Sequence, residues 1–280
     1  MSLFTIEVQK TFRRWRTYIG FAAVAAAVLL LEIIIKLNEA GMTRSYAGNF
    51  NSDFLVSGKI LNAWVITSFI MNSLYVHVPF LVALVAGDMV SSEGTSGTVR
   101  FLLIRPPSRA RIIGAKFLAM LFYTSMLVIF MGVLCVALGL ILFGGGDLIR
   151  FQIGQPHIVI LAQNIAASRT MMAFLAAILS MSVVGSLAFL FSTLVDNSIG
   201  PIIGAMAVVI VFFIIGNLPF ESLEVLRPYL FTHYMNVWQL FFDDPINWQQ
   251  VGKYALALIA HDGLFFGIAY LVFVKKDIKG

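Results

Sequence analysis

The sequence predicts an all-α membrane protein with six transmembrane helices, and three observations predict it. Of 280 residues, 60% are hydrophobic and only 12% charged, and the mean hydropathy is +0.92; a soluble domain of this size has no use for so much apolar surface. The apolar residues fall into runs of about 20 or more, the length a helix needs to cross hydrocarbon. The basic residues gather in three clusters at the ends of such runs: Lys10 to Arg16, Arg100 to Lys116, and Lys275 to Lys279. With six spans all three clusters share one side, and the excess of Lys and Arg makes that side, with both termini, cytoplasmic. The net charge of +5 is therefore read as membrane orientation rather than nucleic-acid binding.

The elements follow in order along a single transmembrane domain, 1–280. Residues 3–16 place Phe4, Val8, Phe12 and Trp15 on one helical stripe opposite Glu7, Lys10 and Arg14. Such a helix lies in the membrane interface with its charged side chains reaching the headgroups. A cleaved signal peptide competes with this reading, but the apolar run that follows is too long and lacks a small-residue cleavage site. The first span covers about 18–37, with Glu32 and Lys36 one turn apart and able to pair. The polar stretch 38–58 reads as an outer loop. The second span covers about 60–86, and Pro79 should kink it near His77. His77 either faces a pathway or bonds a neighbouring helix.

Between Gly87 and Lys116 lies the longest polar interval on the basic side. Val99, Leu102 and Leu103 fall at i, i+3 and i+4, so a short helix there has an apolar face with Arg100 and Arg105 beside it. Thr98 suits its N-cap, and Pro106-Pro107 ends it. Ser108 then suits the N-cap of the helix that enters the third span, about 113–143. Arg109 and Arg111 sit in that helix's first turn, where the dipole prefers acids. They point either to an acidic partner or lipid phosphates, or to topogenic charge alone.

Beyond Gly144-Gly145-Gly146, residues 147–169 are too polar to span and suit an outer loop with a short surface helix. The fourth span, about 171–194, carries a small-residue face at Ser182, Gly185, Ser186 and Ala188. A tight turn at Val195 to Ser198 leads into the fifth span, about 199–216. Residues 217–250 combine Glu221, Glu224, Asp243 and Asp244 with eight aromatics and three prolines; the pattern fits short helices seated in the outer leaflet. The sixth span, about 254–274, holds His261 and Asp262 near its centre. A carboxylate there costs about 2.5–3.5 kcal/mol on insertion scales, so it is paired, hydrated or protonated. It serves as a polar gate or a proton-linked step, or else as an interhelical hydrogen bond or a partner for His261.

Glu93, then Gly97-Thr98, Leu102-Leu103, Pro106, Ser108-Arg109, Ile112 and Lys116 resemble, in order and spacing, the signature between the second and third spans of type-2 ABC transporter permeases. A second Gly-Thr, Gly94-Thr95, with Ser96 beside it departs from the pattern and leaves open which Gly-Thr begins the helix. In that family the loop, 87–112 here, holds a coupling helix that docks on a cytoplasmic ATPase subunit. The resemblance implies Glu93, Arg100 and Arg109 as polar contacts to that ATPase and Val99, Leu102 and Leu103 as the buried face. It also implies that 3–16 is a connecting helix near the ATPase and that 217–250 is an external or re-entrant helical element. The ending Phe273 to Ile278 resembles the tail of many such permeases.

The function so implied is the membrane-spanning subunit of an exporter in a bacterial or archaeal cytoplasmic membrane. It works as a homodimer, or as a heterodimer with a similar chain, surrounded by membrane lipids. Two copies of a separate P-loop ATPase bind the ATP and Mg; this chain binds no cofactor and no metal. It has no Gly-x-x-x-x-Gly-Lys-Ser/Thr sequence of its own, its four histidines are scattered, and its lone Cys135 lies in an apolar run, so no catalytic residues are assigned. The absence of an internal repeat weakens an inverted-repeat carrier. Two other classes stay open: an ion-coupled carrier or channel using Asp262 and Glu32, and a membrane anchor that transports nothing.

Overall fold

The computed structural model describes residues 2–48, 60–95, 108–151 and 158–275. The expected coupling helix, with Gly97, Thr98, Val99, Arg100, Leu102, Leu103 and Pro106, lies outside the described residues, as does the tail beyond Lys275. In chain order the helices are α1 (Leu3–Arg13), α2 (Trp15–Leu37), α3 (Glu39–Gly48), α4 (Ala63–Leu74), α5 (Val78–Ala86), α6 (Ser91–Thr95), α7 (Arg109–Phe143), α8 (Gln163–Leu194), α9 (Ile199–Asn217), α10 (Glu221–Glu224), α11 (Phe231–Tyr234) and α12 (Trp248–Lys275). Five of them (α2, α7, α8, α9 and α12) are long and apolar enough to cross a membrane. A sixth candidate crossing is the pair formed by α4 and the segment Val78–Glu93, bent by 54°. The protein is an integral membrane protein of the all-α class.

α8 is the central post. Of its most apolar window 72% is buried, against 28% for α2 and α9 and 11% for α12. Its small-residue face makes this possible, because helices approach closely where side chains are small. A Cβ at Gly185 would lie 2.5 Å from Met120 Sδ and 3.2 Å from Val82 Cγ1, so α5 and α7 both press on α8 there. Likewise a Cβ at Gly139 would lie 3.2 Å from the Ala63 Cα, which brings α7 against the start of α4.

Several boundaries differ from expectation for physical reasons. α1 stops at Arg13 rather than residue 16, because Arg14 turns extended and sends its guanidinium to Asp88. The stretch after Asn38 begins with a helix, α3, rather than a loop. The second span breaks at residues 75–77, and Pro79 occupies the first turn of α5, where its missing N–H breaks no helical bond. After α7 comes an antiparallel pair of strands, Leu148–Phe151 with Ile158–Leu161, and the described residues between them and α8 form no separate surface helix. Leu148 pairs with Leu161 and Arg150 with Val159. α8 starts eight residues before the expected Met171, at Gln163, whose N–H is met by the Asp147 carboxylate at 3.1 Å.

The polar ends of the bundle are held separately. At one end Ala63 N–H donates to the Gly144 carbonyl at 3.0 Å, and Arg169 donates to the Phe241 and Asp243 carbonyls at 3.2 Å. Arg150 lies over the Phe242 ring at 5.2 Å. The other end, which carries α1, α6 and the start of α7, is where the described members of the basic clusters meet.

Candidate functional site

At that basic end, four charged side chains from three separate stretches close into a buried ionic joint. Lys116, in the second turn of α7 and 2% exposed, sends its Nζ to Glu93 Oε1 at 2.6 Å and to Glu7 Oε2 at 2.9 Å. Lys10 Nζ reaches the same two carboxylates, Glu7 Oε1 at 2.9 Å and Glu93 Oε1 at 3.3 Å. Two ammonium groups thus face two carboxylates, and the Met89 carbonyl accepts a further, longer bond from Lys116 at 3.4 Å. Burial favours the neutral form of Glu7, but Lys116 and Lys10 outweigh it and hold that carboxyl below its ordinary value of 4.5. Burial likewise pulls the Lys10 ammonium down, and Glu7 and Glu93 outweigh it, leaving the group above its ordinary 10.5.

A second ionic clamp sits beside the first. Asp88, in the turn that ends the second span, accepts from Arg14 Nη1 at 2.8 Å and from Arg16 Nη1 at 2.7 Å, one on each oxygen. Arg14 Nη1 also donates to Ser92 Oγ at 2.8 Å. The turn itself is tied to α8: the N–H groups of Val90 and Ser91 donate to Ser192 Oγ at 3.0 and 2.9 Å. This bond places the Val195–Ser198 turn at the basic end as well. Arg109, the first residue of α7, donates to the Val274 carbonyl at 3.2 Å and so fastens α7 to the end of α12.

Sequence-derived site residues fall around this joint in an order their spacing did not reveal. Glu93 is turned inward, buried against Lys116, instead of being presented on a surface. Ser108 stands at the N-cap of α7 in an extended conformation, without a side-chain capping bond. The polar face of α1 was expected to meet headgroups; Glu7 is buried and faces the bundle, where it shares with Glu93 the pairing of the buried Lys116. The apolar stripe of α1 divides. Phe4 and Phe12 stack edge-on against Phe122 of α7 at 6.0 and 6.2 Å, and Val8 packs on the core, whereas Trp15 is 81% exposed.

The intramembrane polar residues lie elsewhere and do not converge. Asp262 of α12 accepts from Ser182 Oγ at 2.6 Å and Ser186 Oγ at 2.5 Å, both on the small face of α8; this is the interhelical bond, not a pairing with His261. His261 Nδ1 instead lies 2.7 Å from the Ala257 carbonyl of its own helix, and His77 Nδ1 lies 3.1 Å from the Ser73 carbonyl of its own span. The expected Glu32–Lys36 pair is absent. Lys36 pairs with Glu39 at 2.7 Å and lies 5.2 Å over the Phe143 ring, because α3 begins immediately after α2 and brings a more accessible carboxylate. Glu32 is fully buried, and neither of its oxygens has a hydrogen-bond partner among the described residues.

Sequence reasoning missed Lys116 as a partner for Glu7 because they lie 109 residues apart. The usable signal was the mismatch of a lysine inside an apolar helix, which demands a carboxylate from somewhere. A search among curated proteins found no match. Residues 23–279 match the family model described as Protein of unknown function (DUF2705), and the chain belongs to that family.

Proposed function

We propose that this chain is the membrane-spanning permease subunit of an ATP-driven ABC transporter, an exporter, energised by a separate cytoplasmic P-loop ATPase. In this reading six helices cross the membrane, the bent α4–α5 pair counting as one. The basic end, with both termini, faces the cytoplasm. Two copies, or this chain with a similar one, enclose the pathway, and ATP and Mg are held by the ATPase pair. The signature of residues 93–116 supplies the family resemblance. The ionic joint supplies the mechanics.

The joint is the observation that carries the reading. Residues 96–107 are bounded on one side by Glu93 and on the other by Arg109 and Lys116, and all three are anchored into helices. A push on that segment reaches anchored helix at both of its ends. It passes through Lys116 into α7, through Glu7 and Asp88 into α1 and α2, and through Ser192 into the central α8. Elements fastened in this way move as fairly rigid bodies, as domain rocking requires. A buried cation clamped by two carboxylates is also a poor hinge, because opening it leaves unpaired charge in a low-dielectric site.

Co-purification tests this. The full chain, extracted from its native membrane, is expected to bring down a protein bearing a Walker A sequence. Leu103→Asp or Arg100→Glu is expected to lose that protein while membrane insertion is kept. Capture of no P-loop protein by the parent chain contradicts the proposal.

One observation favours a second reading. Glu32 of α2, a buried carboxylate with no hydrogen-bond partner among the described residues, is the kind of group an ion-coupled carrier uses. That reading predicts transport without an ATPase and its loss in Glu32→Gln. Asp262 supports it less, since two serines already satisfy it.

A further inference from the structure

At the end of the bundle opposite the ionic joint, a pocket of about 300 Å³ opens between the segment before the last helix and the first two turns of α12. Its size is that of a small-molecule site. Rings and amides line it: His233, Tyr234 and Tyr254, together with Gln249, Gln250 and Lys253. The rings brace one another, with Tyr254 against Tyr234 at 5.2 Å, nearly perpendicular, and against His233 at 5.6 Å. Around the Tyr254 hydroxyl the polar groups converge, Gln250 Nε2 and His233 Nε2 each at 3.4 Å. These bonds are long and leave donor capacity for a guest.

One cation, Lys253, lines the pocket. No carboxylate lines it among the described residues. Three acids of the same external stretch face other cations, Asp244 paired with Arg169 and Glu224 with Arg227, both at 3.4 Å, and Asp243 within the field of Arg150 and Arg169. Lys253 makes no ion pair among the described residues. His233 is held below its ordinary 6.5 by burial first, and then by the positive charges of Arg227 and Lys253. The site therefore suits an anion that accepts several hydrogen bonds at once, which describes a phosphate group. Its depth argues for the source. Lys253 is followed directly by the apolar run from Tyr254 to Val274, and Trp248, 61% exposed, sits one turn before it, as aromatic anchors do at the headgroup level.

We propose that this pocket binds the phosphate of an anionic lipid headgroup, with Lys253 and Gln250 as donors and Tyr254 and His233 as the wall. The assignment does not rest on the ATPase reading and survives its failure. The test uses the full chain in detergent with three probes: dihexanoyl phosphatidic acid, dihexanoyl phosphatidylcholine and inorganic phosphate. The phosphatidic acid is expected to bind more tightly than either of the others. Lys253→Gln should weaken it about tenfold, the loss of one charge-assisted bond, whereas Lys275→Gln at the far end of the same helix should not. Lys253 is exposed, so its replacement does not threaten folding. His233→Gln and Gln250→Leu supply independent variants in the pocket lining, each expected to weaken binding. Equal binding of phosphatidic acid by the parent and by all three pocket variants overturns the site. Inorganic phosphate binding as tightly as the lipid overturns the lipid as its source.

Discussion

Lys116 shows how one residue decides the behaviour of its surroundings. Its ammonium is buried only because Glu7 and Glu93 meet it, so Lys116→Ala leaves two carboxylates facing each other across Lys10 alone. Breaking such a cluster from one side costs about 3–5 kcal/mol, and thermal unfolding in detergent should register the loss. Replacing the whole set with Lys116→Met, Glu7→Gln and Glu93→Gln should recover most of it, since buried ion pairs add little net stability over apolar packing. The acid limb gives a second readout. Because Glu7 sits below its ordinary 4.5 in the folded chain, its contribution is complete above about 4.5 and is lost as pH falls through the lowered value. Lys10, raised above 10.5, contributes fully below that pH and loses its share as pH rises through the raised value. The unfolding-temperature difference between the parent and Glu7→Gln should therefore be constant between these limits and shrink on acidification.

At the scale of elements, small residues and buried bonds set how close the helices come. Gly139→Leu places a side chain against the backbone of Ala63 and should cost about 1–3 kcal/mol by forcing α7 off α4. Gly185 is more tolerant of Ala, since the atom it would meet first is the thioether of Met120, the end of a flexible side chain. Asp262→Asn keeps a partner for Ser182 and Ser186 and should cost about 1 kcal/mol, the usual scale of an intramembrane polar contact. Loss of transport by Asp262→Asn with the fold intact would give that carboxylate a functional role instead. The long helices were legible in the sequence because hydropathy over 20 residues depends on no tertiary partner. The strand pair was not, although Ile158-Val-Ile-Leu161 is a β-branched run behind Gly154 and Pro156, because four-residue apolar runs are ambiguous without their pairing strand. The kink at residues 75–77 was legible, since Pro79 carries its own steric reason.

Across the whole molecule, the chain divides into a basic end and an acidic, aromatic end separated by apolar helix. That division was readable from composition, and the three basic clusters do meet at one end where they are described. The site was less readable. The ionic joint draws Glu7, Glu93 and Lys116 together across separations of 109 and 23 residues, and no local pattern encodes such pairing. Orientation can be checked by labelling intact cells with a membrane-impermeant thiol reagent in a Cys135→Ser background. Asn247→Cys, at the acidic end, should react. Arg111→Cys, exposed beside the joint, should react only after permeabilisation.

In the proposed function, force from a nucleotide-hydrolysing partner enters through residues 96–107 and is passed on by the joint. Photo-cross-linking in the native membrane tests it most directly, with benzoylphenylalanine in place of Leu103. A covalent adduct with a Walker A-bearing protein, formed in cells and lost when Arg100→Glu is added, is the predicted result. An adduct only with extracytoplasmic proteins, or none with any nucleotide-binding chain, would contradict the account.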